Sequence, residues 1–447
     1  MFINKILKIN FISVGAIIFL LLLVFKYNKF LGYEGETYNA MTTFLLSGEI
    51  IGQRAGVVSV LSHFPFAFLD VHTNFNNVQY LSVPFYVALT GAMFFILVKS
   101  LYNSKKIALY MAFLLIFTTM FLPYSVIGME HIFAFTTLSS FTFLFLYSKN
   151  QNKYSLILSA IFAGMTIQTK AYGVLFLLPL FVYFFLILRE RKVHFISKGN
   201  LKNIIIFLGP ILFFVILGLL YNYFQYGSIF STKYDLSNEL QPISLWVGLY
   251  GILFSVGKGF FVYNPLLIIS AFMFREFFEK HKKEFIFIVI FFVIFVPFNA
   301  GYSYWSDEVW GPRKLLVLVP FIFLPLGLYF RNLNKKKIVF FALVAFTGFY
   351  INFVGTVYDY GKQLTLYREM SLDSLEKMRY VPELSHLNIN SLLFQSYLHK
   401  RIDGNSLWFE YEEKSWMRNL AGKENEVMSG GYFSLEDYDQ PDIFLLQ

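Results

Sequence analysis

The sequence predicts an all-α polytopic membrane protein, and three observations support this fold class. The chain of 447 residues is 57% hydrophobic and only 15% charged, whereas a soluble domain averages about 45–50% apolar and about 25% charged residues. Its mean hydropathy is +0.56. The apolar residues also lie in runs close to the roughly 17–25 residues that a helix needs to cross a bilayer.

About eleven hydrophobic segments are predicted as transmembrane helices. They cover residues 10–27, 78–100, 107–127, 131–148, 154–170, 172–188, 203–223, 246–274, 285–299, 315–330 and 338–355. The segment 246–274 is longer than one span needs and is interrupted by four glycines. It is therefore expected to contain a short helix at the membrane surface followed by a true span.

The basic residues predict how these helices are oriented. With the N-terminus in the cytoplasm, the inner loops carry clusters such as Lys335–Lys337, and the outer loops carry far fewer cations. This distribution satisfies the positive-inside rule. The first span lacks a small-residue cleavage site and is therefore expected to remain as an anchor. The net charge of +9 is explained by these loops, so no nucleic-acid partner is expected.

Two regions are predicted along the chain. Residues 1–355 form a transmembrane domain, whose long first outer loop, 28–77, is expected to place amphipathic helices in the membrane interface. An odd number of spans puts residues 356–447 outside the membrane, as an extracytoplasmic C-terminal region of unknown fold. This region either folds as a small domain or packs on the membrane part. The predicted location is a bacterial inner membrane, with the working surface outside.

Composition excludes some chemistry. The chain has no cysteine, so it offers neither disulfides nor a thiolate nucleophile. Its seven histidines do not occur at the spacing of a metal-binding motif. No metal site is assigned, and a divalent cation is left open as a cofactor.

Two acids stand out in the first outer loop, where residues 33–49 read YEGETYNAMTTFLLSGE. Glu34 and Glu36 do not share a helix face, because residues two apart do not face each other. They are therefore expected to have separate roles. The alternative is a pair of solvated acids, or acids that favour the N-terminal end of a helix.

A second polar pair, Glu130 and His131, lies at the outer mouth of the third and fourth spans. An acid and an imidazole can bind a divalent ion or a sugar hydroxyl, although two ligands are few for a metal. The alternative is an acid at a helix start beside a partly exposed histidine.

The outer stretch YWSDEVWGPR contains another set of polar and aromatic residues. Asp307 and Glu308 form another acidic pair, which either balances Arg313 or binds an acceptor. Trp305 and Trp310 either stack on a sugar ring or an isoprenoid, or anchor the chain at the membrane interface.

The sequence of the first outer loop resembles that of the GT-C superfamily of membrane glycosyltransferases. In this superfamily an acidic pair precedes a tyrosine and an amphipathic helix, as Glu34 and Glu36 precede Tyr38 here. The family pair is Asp-Glu, and counting back from Tyr38 places Glu34 at its Asp and Gly35 at its Glu. Which acid is the base is therefore left open.

Four later stretches continue this resemblance in order along residues 10–330. The resemblance is to bacterial enzymes that use polyprenyl-phosphate sugars, such as protein O-mannosyltransferases and aminoarabinose transferases. The stretches are AGMTIQTKAYGVLFLLPLFVYFFL, YNYFQYGSIFSTKY, GILFSVGKGFFVYNPLLI and GYSYWSDEVWGPRKLLVLVPFIFLPLG.

The resemblance implies a glycosyltransferase that moves a hexose or pentose from a polyprenyl-phosphate carrier to a lipid, glycan or protein acceptor on the outer face. A carboxylate takes the acceptor proton, with Glu34 as the first candidate and Glu36 as the second. Cations stabilise the departing phosphate. The residues proposed to bind the donor phosphate are Lys170, Lys258, Arg313 and Lys233. The residues proposed to contact substrate are Tyr38, Glu130, His131, Tyr263, Trp305, Asp307 and Trp310.

Other roles are open for these cations. Lys170 and Arg313 also fit long side chains that reach from span ends to the interface. Lys258 lies in a GKG sequence that lacks a full phosphate-loop motif, and Lys233 also fits a plain loop charge.

Two other functions compete with glycosyl transfer. A transporter or flippase of a lipid-linked glycan would carry charged residues within spans and broken-helix repeats, and few charges lie mid-span. A glycan polymerase or ligase would share the lipid-linked substrate. Glycosyl transfer requires Glu34, Lys170, Lys258 and Arg313 to converge at one outer cavity.

Overall fold

The computed structural model describes the protein over most of its length. The described residues are 10–25, 32–48, 56–73, 78–190, 198–230, 242–302, 305, 307, 309–331, 334–358, 379–380, 382–403, 408–411 and 431–434. Within this part of the chain, almost all regular structure is α-helical. The predicted all-α polytopic membrane fold is confirmed.

The helices follow one another in chain order with short connections. The first half contains α1 (Phe11–Leu23), α2 (Gly32–Ser47), α3 (Val57–Ser62), α4 (Phe64–His72), α5 (Gln79–Tyr102), α6 (Lys105–Phe117), α7 (Phe121–Ile127), α8 (His131–Asn150), α9 (Lys153–Thr169), a 3₁₀ helix (Ala171–Phe176), α10 (Leu177–Glu190) and α11 (Lys198–Tyr226).

The second half begins with a broken helical segment. It contains α12 (Leu245–Phe254), α13 (Phe260–Tyr263), α14 (Leu266–Phe272), α15 (Phe274–Lys280), α16 (Lys282–Ala300), a 3₁₀ helix (Arg313–Leu318), α17 (Val319–Phe323), α18 (Leu326–Tyr329), α19 (Lys335–Val357), a 3₁₀ turn (Pro382–Leu384), α20 (His386–Asp403), β1 (Trp408–Tyr411) and β2 (Gly431–Ser434). The two strands pair antiparallel, with Trp408 opposite Ser434.

Helix α8 lies at the centre of the bundle and α11 at its periphery. In the most apolar stretch of α8, 83% of the helix is buried inside the protein, whereas in that of α11 only 17% is buried. An apolar helix that is buried on all sides belongs to the core of a bundle. The exposed face of α11 carries Leu212, Phe213 and Ile216, which is the composition expected of a surface that contacts lipid.

Each of the eleven predicted spans coincides with at least one helix, but their number stays a prediction. Six helical segments of the described chain are long and apolar enough to cross a membrane by themselves. A seventh results if α6 and α7, which meet at a bend of 54°, form one span. Helices α1 and α12 are shorter. The predicted span 246–274 is broken between α12 and α13 at residues 255–259.

The loops predicted to lie inside meet at one end of the bundle. Lys283 forms an ion pair with Glu190, with 2.6 Å between Nζ and Oε2. The Arg331 guanidinium lies 5.6 Å from the Tyr102 ring, and that ring lies 5.6 Å from His281. Helix α5 runs from this end towards the opposite one. Its 24 residues make it about 36 Å long, because an α-helix rises about 1.5 Å per residue.

The first outer loop packs as three helices on the opposite end. Tyr38 and Met41 of α2 are buried against Val60 of α3 and Ala67 of α4. The Ser59 hydroxyl donates to the carbonyl of Thr169 over 3.2 Å, which docks α3 on the end of α9. Helix α2 also exposes the apolar side chains Phe44 and Leu46, and its predicted amphipathic character stays a prediction.

The C-terminal region packs on the membrane part through α20. The Asn390 side-chain amide donates to the carbonyl of Val354 in α19 over 3.0 Å. The rings of Phe394 and Phe353 meet edge to face, with their centroids 5.4 Å apart. The predicted division of the chain at residue 355 thus falls near the end of α19, on which α20 lies.

We expect Gly248→Ala to destabilise the protein, because a Cβ at this position would overlap the Ala300 carbonyl oxygen where α12 crosses α16. Overpacking of this kind typically costs about 1–3 kcal/mol. The measurement is the thermal unfolding midpoint in detergent. The matched control is Gly209→Ala in α11, where a Cβ meets nothing within 4 Å. Equal midpoints for the two variants would contradict this packing.

Candidate functional site

Several described charged residues at the end of the bundle opposite Arg331 lie near one buried carboxylate, that of Glu130. Helix α7 ends at Gly128, with φ of 79°, and Glu130 has φ of 61° before α8 begins. Positive φ is uncommon for residues other than glycine. Gly128 and Glu130 both have left-handed backbone conformations, so the chain turns tightly here. This turn buries the Glu130 side chain, and only 3% of the residue is exposed.

Glu130 has two polar partners from the junction that follows α9. The Lys170 ammonium lies 3.5 Å from its Oε1, and the Tyr172 hydroxyl donates to its Oε2 over 2.8 Å. A buried charge is stable only when it is paired and hydrogen-bonded. The structure therefore brings together two predicted site residues, Glu130 and Lys170, and adds Tyr172, which the sequence analysis did not identify.

A second ion pair joins Asp307 and Arg313 in the segment before α17. Both side chains are largely buried, with 11% and 14% exposed. The Arg313 guanidinium also contacts the sulfur of Met129 over 2.7 Å. Since Met129 precedes Glu130 in the chain, the two ion pairs lie side by side.

Lys314 is a third cation of this cluster, and the sequence analysis did not assign it to the site. Burial lowers the pKa of its ammonium to about 8. Asp307 and Glu130 act against this shift, whereas Arg313 and Lys170 add to it. Lys314 therefore lies within electrostatic range of both ion pairs. The signal in the sequence is the dibasic step that follows Pro312.

Lys258 supports the same segment from the GKG loop. Its ammonium donates to the carbonyl of Val309, and its backbone N–H donates to the Ser255 hydroxyl over 3.1 Å. Only 1% of Lys258 is exposed. In this conformation its polar contacts are with the protein, and its predicted contact with a donor phosphate stays a prediction.

The predicted aromatic residues form a buried layer beneath the ion pairs. The Tyr124 hydroxyl donates to the carbonyl of Trp310 over 2.6 Å. The ring of Tyr263 meets Trp310 edge to face, with 5.2 Å between centroids. Trp305, Trp310 and Tyr263 are all buried. This layer positions the segment that carries Asp307 and Arg313.

In the first outer loop, Tyr38 anchors α2 through a partner that the sequence analysis did not identify. Its hydroxyl donates to the Asp70 carboxylate over 2.9 Å. Burial, followed by this hydrogen bond, raises the pKa of Tyr38 above its ordinary value. The bond ties α2 to α4 within the first half of α2, close to the predicted acids.

Three predicted residues lie partly or wholly beyond the described structure. The backbones of Glu34 and Glu36 belong to α2, but their side chains are outside the described residues. Lys233 lies outside them altogether. Among the residues that are described, no group of three or more His, Asp or Glu side chains lies together.

His131 differs from one of the expectations for it. It is fully buried beside Tyr86, with the ring centroids 5.9 Å apart. The expectation that His131 is partly exposed is therefore wrong. Because the Tyr86 hydroxyl donates to the carbonyl of Ser62 over 2.7 Å, His131 lies where α5, α8 and the first outer loop meet.

Comparison with solved structures identifies the fold. The crystal structure of ArnT from Cupriavidus metallidurans bound to undecaprenyl phosphate matches with a TM-score of 0.52 at 12% sequence identity, over 88% of this chain and 80% of that one. The chain shares the fold of this protein. At this identity the match concerns the fold alone. No family model matches the sequence, and no curated protein matches it.

Two further structures were found with lower scores. The apo form of the same ArnT has a TM-score of 0.49 at 11% identity, over 88% of this chain and 79% of that one. An Archaeoglobus fulgidus oligosaccharyltransferase tethered with an acceptor peptide has a TM-score of 0.46 at 12% identity, over 77% of this chain and 54% of that one.

We expect amine-reactive labelling of Lys314, followed across pH by mass spectrometry, to have its midpoint near pH 8. Asp307→Asn should move this midpoint to lower pH, because the lost carboxylate favours the ammonium. Arg313→Gln should move it to higher pH, because a repelling cation is removed.

The lowered pKa of Lys314 makes the folding stability of the protein depend on pH. Its pKa falls from 10.5 to about 8 on folding, so the folded protein binds fewer protons between these values. The destabilisation from burying the ammonium is full below pH 8 and is relieved as the pH rises towards 10.5.

In the labelling experiment, a midpoint that neither substitution moves would contradict the placement of Lys314 beside the ion pairs.

Proposed function

We propose that the protein is a glycosyltransferase that takes a sugar from a polyprenyl-phosphate donor and transfers it to an acceptor hydroxyl. The observation that carries the proposal is the cluster of Lys170, Arg313 and Lys314, which two buried carboxylates hold at one end of an apolar bundle. The fold supports the same class of reaction.

The cluster suits a lipid phosphate as the leaving group. When the bond between the anomeric carbon and the phosphate oxygen breaks, the electron pair stays on the phosphate. Arg313 can donate two parallel N–H hydrogen bonds to the charged phosphate, and Lys170 can act as a point charge. Because Glu130 and Asp307 already fix both cations, little reorganisation is needed as charge develops.

Lys314 adds to this field at neutral pH. With a pKa of about 8, its ammonium is mostly protonated at pH 7. The described cluster then contains three cations and two carboxylates. An excess of one positive charge matches the single negative charge of a sugar-phosphate diester.

We assign the proton transfer to the acid pair of α2. As the acceptor oxygen forms its bond to the anomeric carbon, its proton passes to a carboxylate, with Glu34 as the first candidate and Glu36 as the second. The bond between Tyr38 and Asp70 holds α2 on the docked outer loop, and α3 of that loop contacts the residue before Lys170. This path of contacts links the acids to the phosphate cluster.

The resemblance of the sequence supports the remaining features of the proposal. The proposed acceptor is a lipid, a glycan or a protein, and the proposed donor sugar is a hexose or a pentose. We place the reaction on the outer face of a bacterial inner membrane, because the opposite end carries the basic loops.

The experiment is sugar transfer in isolated membranes supplied with a panel of radiolabelled polyprenyl-phosphate sugars. We expect Arg313→Ala to lower transfer by about 10²–10³-fold, the typical effect of removing one preorganised donor from a developing anion. Arg313→Lys should retain part of the activity. The matched control is Arg331→Ala at the opposite end of the bundle, which should leave transfer unchanged.

Two outcomes would count against this proposal. Full transfer by Arg313→Ala would remove the cluster from the reaction. Absence of transfer from every donor by wild-type protein, together with uptake of lipid-linked glycan into vesicles, would favour a transporter.

The same assay separates the two acids. Glu34→Gln and Glu36→Gln each keep the size of the side chain and remove its basicity. We expect one of them to lower transfer by about 10²–10⁴-fold, the usual contribution of a general base, at unchanged protein level. Undiminished transfer by both variants would exclude the pair and point to Glu130, Asp307 or Glu308.

A further inference from the structure

The described part of the C-terminal region contacts both loops of the candidate site. The backbone carbonyl of Arg379 accepts a hydrogen bond from the N–H of Gly257 over 3.2 Å, so it joins the GKG loop. The guanidinium of Arg379 lies 5.6 Å from the Trp305 ring, so it also covers the segment that carries Asp307. One residue thus bridges two loops that are separate in the sequence.

His386, the first residue of α20, makes a second contact with this segment. Its ring stacks on Trp310 with 6.3 Å between centroids and an interplanar angle of 16°. His386 is buried, and burial lowers its pKa well below the ordinary value, with the ammonium of Lys258 as a further cause. A neutral imidazole therefore stacks on Trp310, within electrostatic range of Lys258.

Trp310 is enclosed on its other sides by the membrane part. Tyr124 binds its carbonyl, and Tyr263 packs on its ring. A Cβ on Gly355 of α19 would overlap the indole, so α19 approaches it closely. His386 completes this enclosure from the C-terminal region. The position of Trp310 matters because Arg313 follows it by three residues.

Helix α20 has anchors of its own that do not involve His386. Asn390 binds the carbonyl of Val354, and Phe394 packs on Phe353. Leu393 of α20 is also buried. Removing the imidazole should therefore leave α20 in place and change only its contact with Trp310 and Lys258.

We propose that the C-terminal region acts as a clamp on the candidate site, and that His386 is its positioning residue. The clamp holds the GKG loop and segment 305–314 together, so that Lys258, Asp307 and Arg313 keep their relative positions. Its effect on transfer rests on the function proposed above, whereas its effect on the geometry of segment 305–314 does not.

The first test uses thiol accessibility, because the chain has no native cysteine. Val309→Cys places a reporter thiol in the clamped segment, where only 4% of Val309 is exposed. We expect slow maleimide labelling of this thiol. In His386→Ala the rate should rise at least about tenfold, because loss of a buried aromatic contact favours local opening. His386→Phe, which keeps the stacked ring, should restore slow labelling.

Two controls separate local opening from general unfolding. His399→Ala removes the same side chain from the same helix, away from the N-terminal end that contacts Trp310, and should not change labelling. Ser270→Cys reports on the buried membrane core and should stay protected in every background. Equal labelling of Val309→Cys in all backgrounds would overturn the clamp, and so would a simultaneous rise at Ser270→Cys.

The second test measures transfer kinetics in detergent-purified full-length protein. We expect His386→Ala to raise the donor KM, because the cations that bind the phosphate lose their alignment, and His386→Phe to restore it. His386→Ala kinetics equal to wild type would limit the clamp to a packing role and contradict its positioning role. If wild-type protein transfers no sugar while thiol labelling responds as described, the proposed function fails and the clamp stands.

Discussion

A carboxylate buried at the end of an apolar bundle sets the geometry of the proposed site. Glu130 cannot remain charged there without partners, because the desolvation of an unpaired ion costs several kcal/mol. The partners it has, Lys170 and Tyr172, come from the junction after α9. Their pairing joins two chain segments, the turn from α7 into α8 and the junction after α9. Arg313 then joins through Met129.

The bundle beneath this point explains why the charges lie where they do. Helix α8 is buried almost throughout and its first residue follows Glu130, so the central helix of the fold starts at the charged cluster. Hydroxyl groups of Thr and Ser lie along α8 and are buried with it, whereas the described cations remain at the two ends. A phosphate group bound by Lys170, Arg313 and Lys314 would lie at the level of the lipid head groups, with its polyprenyl chain beside the apolar helices.

The sequence allowed the helical class and the places of the apolar helices to be predicted, and it singled out several residues of the charged cluster, because hydropathy and local motifs are short-range properties. Contacts between distant residues could not be predicted. Nothing near Glu130 indicates that its partners are Lys170 and Tyr172, and nothing near His386 indicates Trp310. Lys314 was missed because its burial depends on packing, and Asp70 was missed because its partner Tyr38 lies in another helix of the loop.

In the proposed function, one end of the bundle binds the phosphate of a lipid carrier between Arg313 and Lys170. The most direct test is an experimental density map of the protein with added polyprenyl phosphate in lipid nanodiscs. We expect phosphate density within hydrogen-bonding distance of both side chains, with the isoprenoid chain along the bundle. Phosphate density at the opposite end, beside Arg331 and Lys335, would contradict it.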